Sequence, residues 1–182
     1  TEGGAQDGRP VDLAELEPYY DHAEYALGIS GQAGNIRGKI DARGNIFEGP
    51  RQRAYPMPPL RGTGFTDLMA SAARRLEWHP FPGSAAVNSE PYENRAACVY
   101  HGFCSRGGCH VGAKSSTAVS TIPKAQATGR LNVVTEAHVT EISVNGVTYL
   151  KDGEFHFQPA AVVLLATYTY ENVRTLLLSK SK

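Results

Sequence analysis

The sequence predicts a chain of mixed α/β class, on three observations. Two stretches carry apolar residues at helical spacing, and a group of short β-branched runs separated by tight-turn pairs falls in the C-terminal third. A continuous apolar run, Ala160 to Leu165, then leads straight into another helical pattern. At 182 residues and 41% hydrophobic, the chain is long enough for one domain with a real core.

The elements follow in order. Residues 1–10 hold Gly3, Gly4, Gly8 and Pro10 and read as a flexible lead-in, so the folded region is taken as 11–182. Asp12 with Glu15 three positions on reads as a capping box, with Pro18 in the first helical turn. Leu16, Tyr20, Ala23 and Leu27 share one face of that helix, and Gly28 stops it. From Gly28 to Gly64 the glycines and prolines are too dense for regular structure, and a long ordered excursion is expected.

Phe65, Leu68, Met69, Ala72, Ala73 and Leu76 follow the i, i+3, i+4, i+7 pattern, which predicts a helix over Thr66 to Glu77 with this stripe facing inward. Pro80 and Pro82 allow only extended or edge conformations over Trp78 to Ser84. Thr121, Pro123 and Gly129 bracket a short helix. Strands are predicted over Leu131 to Thr135, His138 to Val144, Val147 to Leu150 and Phe155 to Gln158, with Asn145-Gly146 and Asp152-Gly153 as hairpin turns. Ala160 to Leu165 has the composition of a central parallel strand buried on both faces, and Tyr170 to Leu178 of the helix after it.

Charge and hydropathy exclude two classes of partner. The 18 Lys and Arg balance the 18 Asp and Glu, so no net field draws the chain to nucleic acid or anionic lipid. The longest apolar run, Ala160 to Ala166, is far short of the roughly 20 residues a membrane-spanning helix needs. No basic stretch leads into an apolar one near Thr1, so these residues show no signal peptide.

Gly28, Gly31, Gly34 and Gly38 follow a helix rather than a strand, and Gly62 and Gly64 follow a Pro-rich stretch. Both groups read as structural turns rather than a dinucleotide fingerprint. The informative cluster is elsewhere. Cys98, Cys104 and Cys109 are the only cysteines, spaced Cys-x5-Cys-x4-Cys with glycines between. An odd number argues against a disulfide framework, and glycine lets the backbone wrap closely round an inorganic cluster. Three buried free thiols that pack as small apolar residues satisfy the same spacing. Of the histidines, only His101 and His110 flank this cluster and enter as candidate ligands.

Several short motifs occur in one register: Leu16-Glu17-Pro18-Tyr19-Tyr20-Asp21, Gly28-Ile29-Ser30-Gly31, Phe47-Glu48-Gly49-Pro50 and Tyr55-Pro56-Met57-Pro58-Pro59. They continue with Gly112-Ala113-Lys114, Ile122-Pro123-Lys124-Ala125, Asn172-Val173-Arg174 and Leu176-Leu177-Leu178-Ser179. In this order they resemble the gluconate and fructose dehydrogenase branch of the glucose-methanol-choline family of FAD-dependent oxidoreductases. The resemblance runs from Asp12 onward.

It implies that residues 11–182 are an internal portion of such an enzyme. They would hold part of a Rossmann-like FAD-binding domain, with a long Gly/Pro-rich excursion, and part of a substrate domain built on an antiparallel sheet. The implied chemistry is hydride transfer to flavin from the CH–OH group of a sugar, sugar acid or other alcohol. The stretch Ala137-His138-Val139-Thr140 matches the strand whose backbone lies against the adenine, with Val139 making the amide contacts. Ala166 and Thr167 lie near the nucleotide, where many relatives have a small Ala-Gly pair and this chain continues Tyr168-Thr169-Tyr170.

Relatives also carry Gly-x-Gly-x-x-Gly for the FAD pyrophosphate and a catalytic His paired with His or Asn. Neither motif is found in these residues. The catalytic residues are therefore unassigned, and the isolated chain is expected to be inactive and to bind FAD weakly.

For Cys98, Cys104 and Cys109 the resemblance implies a 3Fe-4S cluster that passes electrons to a cytochrome subunit, in enzymes that are periplasmic or membrane-associated. Relatives space the last pair by x3, and the extra residue here falls at Gly107-Gly108. Zinc with His101 or His110 as a fourth ligand is the alternative, and free thiols the third reading. The implied partners are the remaining segments of the same enzyme and a small subunit. An electron-transfer module without flavin, or a non-catalytic scaffold, are the competing functions.

Overall fold

Helix α1 spans Leu13–Leu27 and is set by its two ends. The Glu15 N–H donates to Asp12 Oδ1 at 2.9 Å, and Gly28 ends the helix at φ 72° with its N–H on the Glu24 carbonyl. Pro18 departs from expectation: it lies inside the helix, past the first turn, where its ring removes a backbone donor. The computed structural model describes residues 12–102, 104 and 107–179, so the lead-in expected over residues 1–10 lies outside the described residues. The chain divides into two units, Thr1–Arg130 and Leu131–Lys182.

In the first unit, α1 is held by carboxylates rather than by a wide apolar face. Glu17, Asp21 and Glu24 are spaced i, i+4, i+7 and therefore share a side. Glu17 accepts the Gln52 N–H at 2.8 Å, Asp21 accepts both-oxygen contacts from Arg53 Nε at 2.8 and 2.9 Å, and Glu24 pairs with Arg51. The hydrogen bond from Arg53 holds the Asp21 carboxyl below its usual value, whereas burial pushes the Glu24 carboxyl up.

The Gly/Pro-rich excursion is ordered, as expected. It contains a small antiparallel hairpin of β1 (Asn35–Ile36) and β2 (Lys39–Ile40), turned by Arg37 and Gly38 at φ 52° and 81°. Apart from glycines, the buried residues described in this unit are few: Ser30, Ala33, Met57, Asn88, Ala113 and Ser120, together with Glu17. Ser30 exchanges both main-chain hydrogen bonds with Ala85, and the Gly31 N–H reaches the Met57 carbonyl. Helix α3, Thr121–Ala127, forms as expected, with Pro123 in its first turn and Gly129 just beyond its end.

Helix α2, Gly64–Arg75, confirms the predicted helix, with Thr63 and Thr66 capping each other reciprocally. Its stripe does not face inward: Phe65 is 70% exposed and Leu68 67%, because no described element of this unit covers that side. Trp78 to Ser84 is irregular, as its prolines require.

The second unit is a three-stranded antiparallel sheet, in the order β3 (His138–Ser143), β4 (Gly146–Lys151), β5 (Glu154–Pro159), followed by helix α4 (Thr169–Leu178). The turn at Asp152 and Gly153, φ 52° and 82°, is as predicted. The first hairpin turns one residue earlier than predicted, through Val144 and Asn145, since Ser143 pairs with Gly146. Gly146 instead serves close packing: at φ 151° a Cβ there would overlap the Gln158 carbonyl oxygen across the sheet.

Two strand expectations fail. Leu131 to Thr135 and Ala160 to Leu165 carry no strand. β-propensity and an apolar run establish a strand only where a neighbouring strand supplies hydrogen bonds, and none of the described residues pairs with either stretch. Mixed α/β class holds, with antiparallel pairing in both described sheets rather than a parallel sheet.

The end of α1 yields a test. A Cβ on Gly28 would stand 2.6 Å from Arg95 Nη2 and 2.9 Å from the Tyr92 ring, at a backbone angle that favours glycine. Gly28→Ala is expected to lower unfolding free energy by about 2 kcal/mol in denaturant titration, and Gly38→Ala, which points into open space, by about 1 kcal/mol. Equal losses would show that close packing at the helix stop adds nothing.

Candidate functional site

The sheet of the second unit positions the residues of greatest interest. Strand β3 is an edge strand whose register shifts between Val139 and Glu141, and α4 is tied to it where Ser179 Oγ accepts the Ile142 N–H at 2.7 Å. Between β3, α4 and the segment joining β5 to α4 lies a cleft of about 900 Å³. His138, Val139 and Thr167 line it, with Val163 and Leu165 along one wall and Arg174 on α4. Three of the four nucleotide-contact residues expected from sequence are thus brought to one cleft. The fourth, Ala166, is exposed and does not line it.

The turn into α4 is built by Asn172, whose Oδ1 accepts the Thr167 N–H at 2.8 Å and its hydroxyl at 2.7 Å. This fold-back puts Tyr168 at φ 78°, ψ 149°, a region that is essentially glycine's. Sequence reasoning singled out this turn for its bulky residues and could not see the strain.

The cysteines lie in the first unit. Cys98 and Cys109 are half-buried, Cys104 is exposed, and all three are free thiols. The Tyr100 N–H approaches Cys98 Sγ at 3.4 Å, with Tyr100 itself at φ 56°. Cys104 Sγ donates to the His101 carbonyl at 3.5 Å and lies 4.0 Å from His101 Nδ1, and Lys114 Nζ donates to the Cys104 carbonyl at 3.0 Å. The rings of His101 and His110 stack at 4.8 Å. Phe103, Ser105 and Arg106 lie outside the described residues. Among the described residues, no three of His, Cys, Asp or Glu come together as metal ligands. Backbone N–H groups, first that of Lys114 and then those of Val111, Ala113 and Gly112, hold the Cys109 thiol below its ordinary value against the opposing effect of burial.

What sequence reasoning missed is Asn88, which anchors this segment. It is fully buried, and its Nδ2 is shared among the carbonyls of Tyr92, Arg95 and Ala96 at 3.2 to 3.4 Å. Its N–H donates to Ala113 and its carbonyl accepts from Cys98. A lone Asn beside an apolar Ala85-Ala86-Val87 run gives no periodic signal.

Comparison with known proteins defines the class to which this architecture belongs. No family model matches the chain. The gluconate 2-dehydrogenase flavoprotein of Pantoea cypripedii is 32% identical over 93% of the chain, and the fructose dehydrogenase large subunit of Gluconobacter japonicus is 29% identical over 91%. The paromamine 6'-oxidase of Streptomyces fradiae is 33% identical over 68%. These relatives are dehydrogenases and an oxidase, and the chain matches the two dehydrogenases along nearly its whole length and the oxidase along about two thirds of it. More particularly, the resemblance to the gluconate and fructose dehydrogenase branch of the glucose-methanol-choline family is borne out. The chain spans 30% of the length of the gluconate and fructose dehydrogenase relatives and 20% of the oxidase. No helix among the described residues is long and apolar enough to cross a membrane.

Two measurements test this geometry. Tyr168→Gly removes the strain at the α4 turn and should stabilise the chain by about 1 kcal/mol in thermal unfolding, where an ordinary exposed Tyr→Gly change would destabilise it. Alkylation of Cys109, followed by peptide mapping against pH, should show its thiolate at lower pH than the ordinary 9.0. A Cys109 profile centred at or above that value would remove the N–H cradle from the account.

Proposed function

We propose that this chain is an internal part of an FAD-dependent oxidoreductase that acts on the CH–OH groups of sugars, sugar acids or other alcohols. The observation that carries the reading is the match along 93% of the chain to a gluconate 2-dehydrogenase flavoprotein. The flavin, when bound, accepts the hydride from the substrate carbon.

What these residues contribute is binding. The cleft in the second unit is within the range of small-molecule sites, and His138, Val139 and Thr167 on its wall agree with an adenine-nucleotide role. Val139 lies on the edge strand β3, where main-chain amides can meet a purine edge, and the apolar side chains of Val163 and Leu165 would exclude water from its face. The sequence holds no Gly-x-Gly-x-x-Gly to grip a pyrophosphate, so the contacts available here are those of the adenine end. The base that takes the hydroxyl proton, the substrate pocket, and a cytochrome or small subunit as partner belong to the assembled enzyme.

A second role, electron transfer through an iron–sulfur cluster on Cys98, Cys104 and Cys109, is favoured by one observation. Several backbone N–H groups surround the Cys109 sulfur and favour its thiolate, and the Tyr100 N–H approaches Cys98 Sγ. The three thiols do not converge among the described residues, so no electron-transfer step is routed through them.

One experiment addresses both. The purified chain, titrated with FAD under anaerobic conditions, should bind with a dissociation constant weaker than about 10 μM, since adenine contacts alone must offset the cost of association. Submicromolar affinity would show that these residues hold a complete anchor. Iron and acid-labile sulfide found in the same material after cluster reconstitution would support the second role, and their absence would leave the cysteines as structural thiols.

A further inference from the structure

In the first unit, α2 and the proline segment after it enclose side chains that the fold leaves without partners. Glu77, at φ 58°, turns the chain back at the end of the helix, and the Trp78 N–H donates to the Ala73 carbonyl at 3.0 Å. His79 Nε2 lies 3.1 Å from the Gly44 carbonyl, and Pro80 and Pro82 stiffen the segment that follows. Two clefts flank this segment, of about 390 and 380 Å³, and Arg74, Pro80 and Pro82 line both. The larger also holds Arg61, Asp67 and Phe81, and the smaller holds Trp78.

The chemistry of these walls is specific. Among the described residues, the side chains of Arg74 and Asp67 make no hydrogen bond or ion pair, and the Arg61 guanidinium meets only the Tyr100 ring, 4.7 Å from its centroid. Beside them the fold leaves Trp78 69% and Phe81 42% exposed. Two arginines suit a carboxylate, which each can meet through paired N–H groups. Asp67 is an acceptor for hydroxyl groups, and an aromatic face covers the carbon side of a polyhydroxylated chain or ring. The aspartate also selects against other anions. A ligand with several negative charges, such as a nucleotide or an acidic peptide, would bring one of them against its carboxylate.

We propose that these clefts form a binding subsite for a sugar acid, with Arg61 and Arg74 on its single carboxylate and Asp67 and Phe81 on its hydroxyls and carbon face. Their size is that of small-molecule sites. No reacting atom is placed here, so the subsite binds and does not catalyse. The choice of a sugar acid over other monocarboxylates rests on the oxidoreductase reading above, whereas the binding itself needs no flavin.

Trp78 is the chain's single tryptophan and shares Arg74 with the larger cleft, so its emission reports on the site. Titration of the chain with sodium D-gluconate at constant ionic strength, followed by Trp78 emission and by calorimetry, should saturate with a dissociation constant of about 1 to 10 mM. D-Glucose and acetate should each bind at least about tenfold more weakly, because each lacks one half of what the clefts recognise. Arg74→Gln and Arg61→Gln should each weaken gluconate at least about fivefold and leave the melting temperature within about 2 °C, since both side chains are exposed. Absence of saturable binding, or unchanged affinity in both variants, overturns the proposal. So does glucose or acetate binding as well as gluconate, or AMP binding more tightly at Trp78. FAD binding is read separately, by flavin fluorescence. A chain that binds gluconate and no FAD keeps the subsite and removes the nucleotide reading, and the reverse result removes only the subsite.

Discussion

The first unit depends on one buried amide. Asn88 shares its Nδ2 among the carbonyls of Tyr92, Arg95 and Ala96, donates its main-chain N–H to Ala113 and accepts from Cys98. These bonds define a tight turn, and the turn reaches outward: the Tyr92 hydroxyl donates to the Tyr25 carbonyl at 2.9 Å and Arg95 Nη2 to the Leu27 carbonyl at 2.8 Å. The open carbonyls at the end of α1 are thereby satisfied by side chains from far along the chain. Arg95 Nη1 also approaches the Gly112 carbonyl at 3.4 Å, in the loop that surrounds Cys109. Helix α1, the 92–96 turn and the cysteine segment are held in register by a polar node rather than by a large apolar core. Loss of a buried hydrogen-bond donor of this kind leaves carbonyls unpaired, which costs about 1 to 3 kcal/mol each.

The second unit poses the opposite problem. It has apolar residues in quantity and too few neighbours for them: Phe155, Phe157, Val162 and Leu164 are all exposed. Its sheet and α4 nevertheless form a stable frame round a cleft that gathers His138, Val139 and Thr167. The strained Tyr168 backbone persists there because Asn172 fixes the turn from the far side. The first unit thus has a polar node without much core and the second has exposed apolar faces; the chain spans 30% of the length of the dehydrogenase relatives.

Much of this was legible in the sequence, and what was not has physical causes. Local signals held where chemistry is local: Asp12 and Gly28 bound α1, Asp152-Gly153 turns a hairpin, and the 3.6-residue pattern of Phe65 to Leu76 marks α2. Expectations that depended on neighbours did not hold. The α2 stripe is exposed and Ala160 to Leu165 is not a strand, because periodicity reports what a segment can bury and not whether a partner is present. At the candidate site, the resemblance named His138, Val139, Ala166 and Thr167, of which the first two and the last line one cleft, while Asn88 escaped notice because a single buried polar residue has no pattern.

The central claim, that a polar node at Asn88 organises the first unit and the cysteine segment with it, is tested most directly by the unfolding free energy of Asn88→Ala. The account predicts a loss of about 3 kcal/mol in denaturant titration, together with faster exchange of the Cys98 amide. A loss below about 0.5 kcal/mol with Cys98 exchange unchanged would contradict it and place the stability of the unit elsewhere.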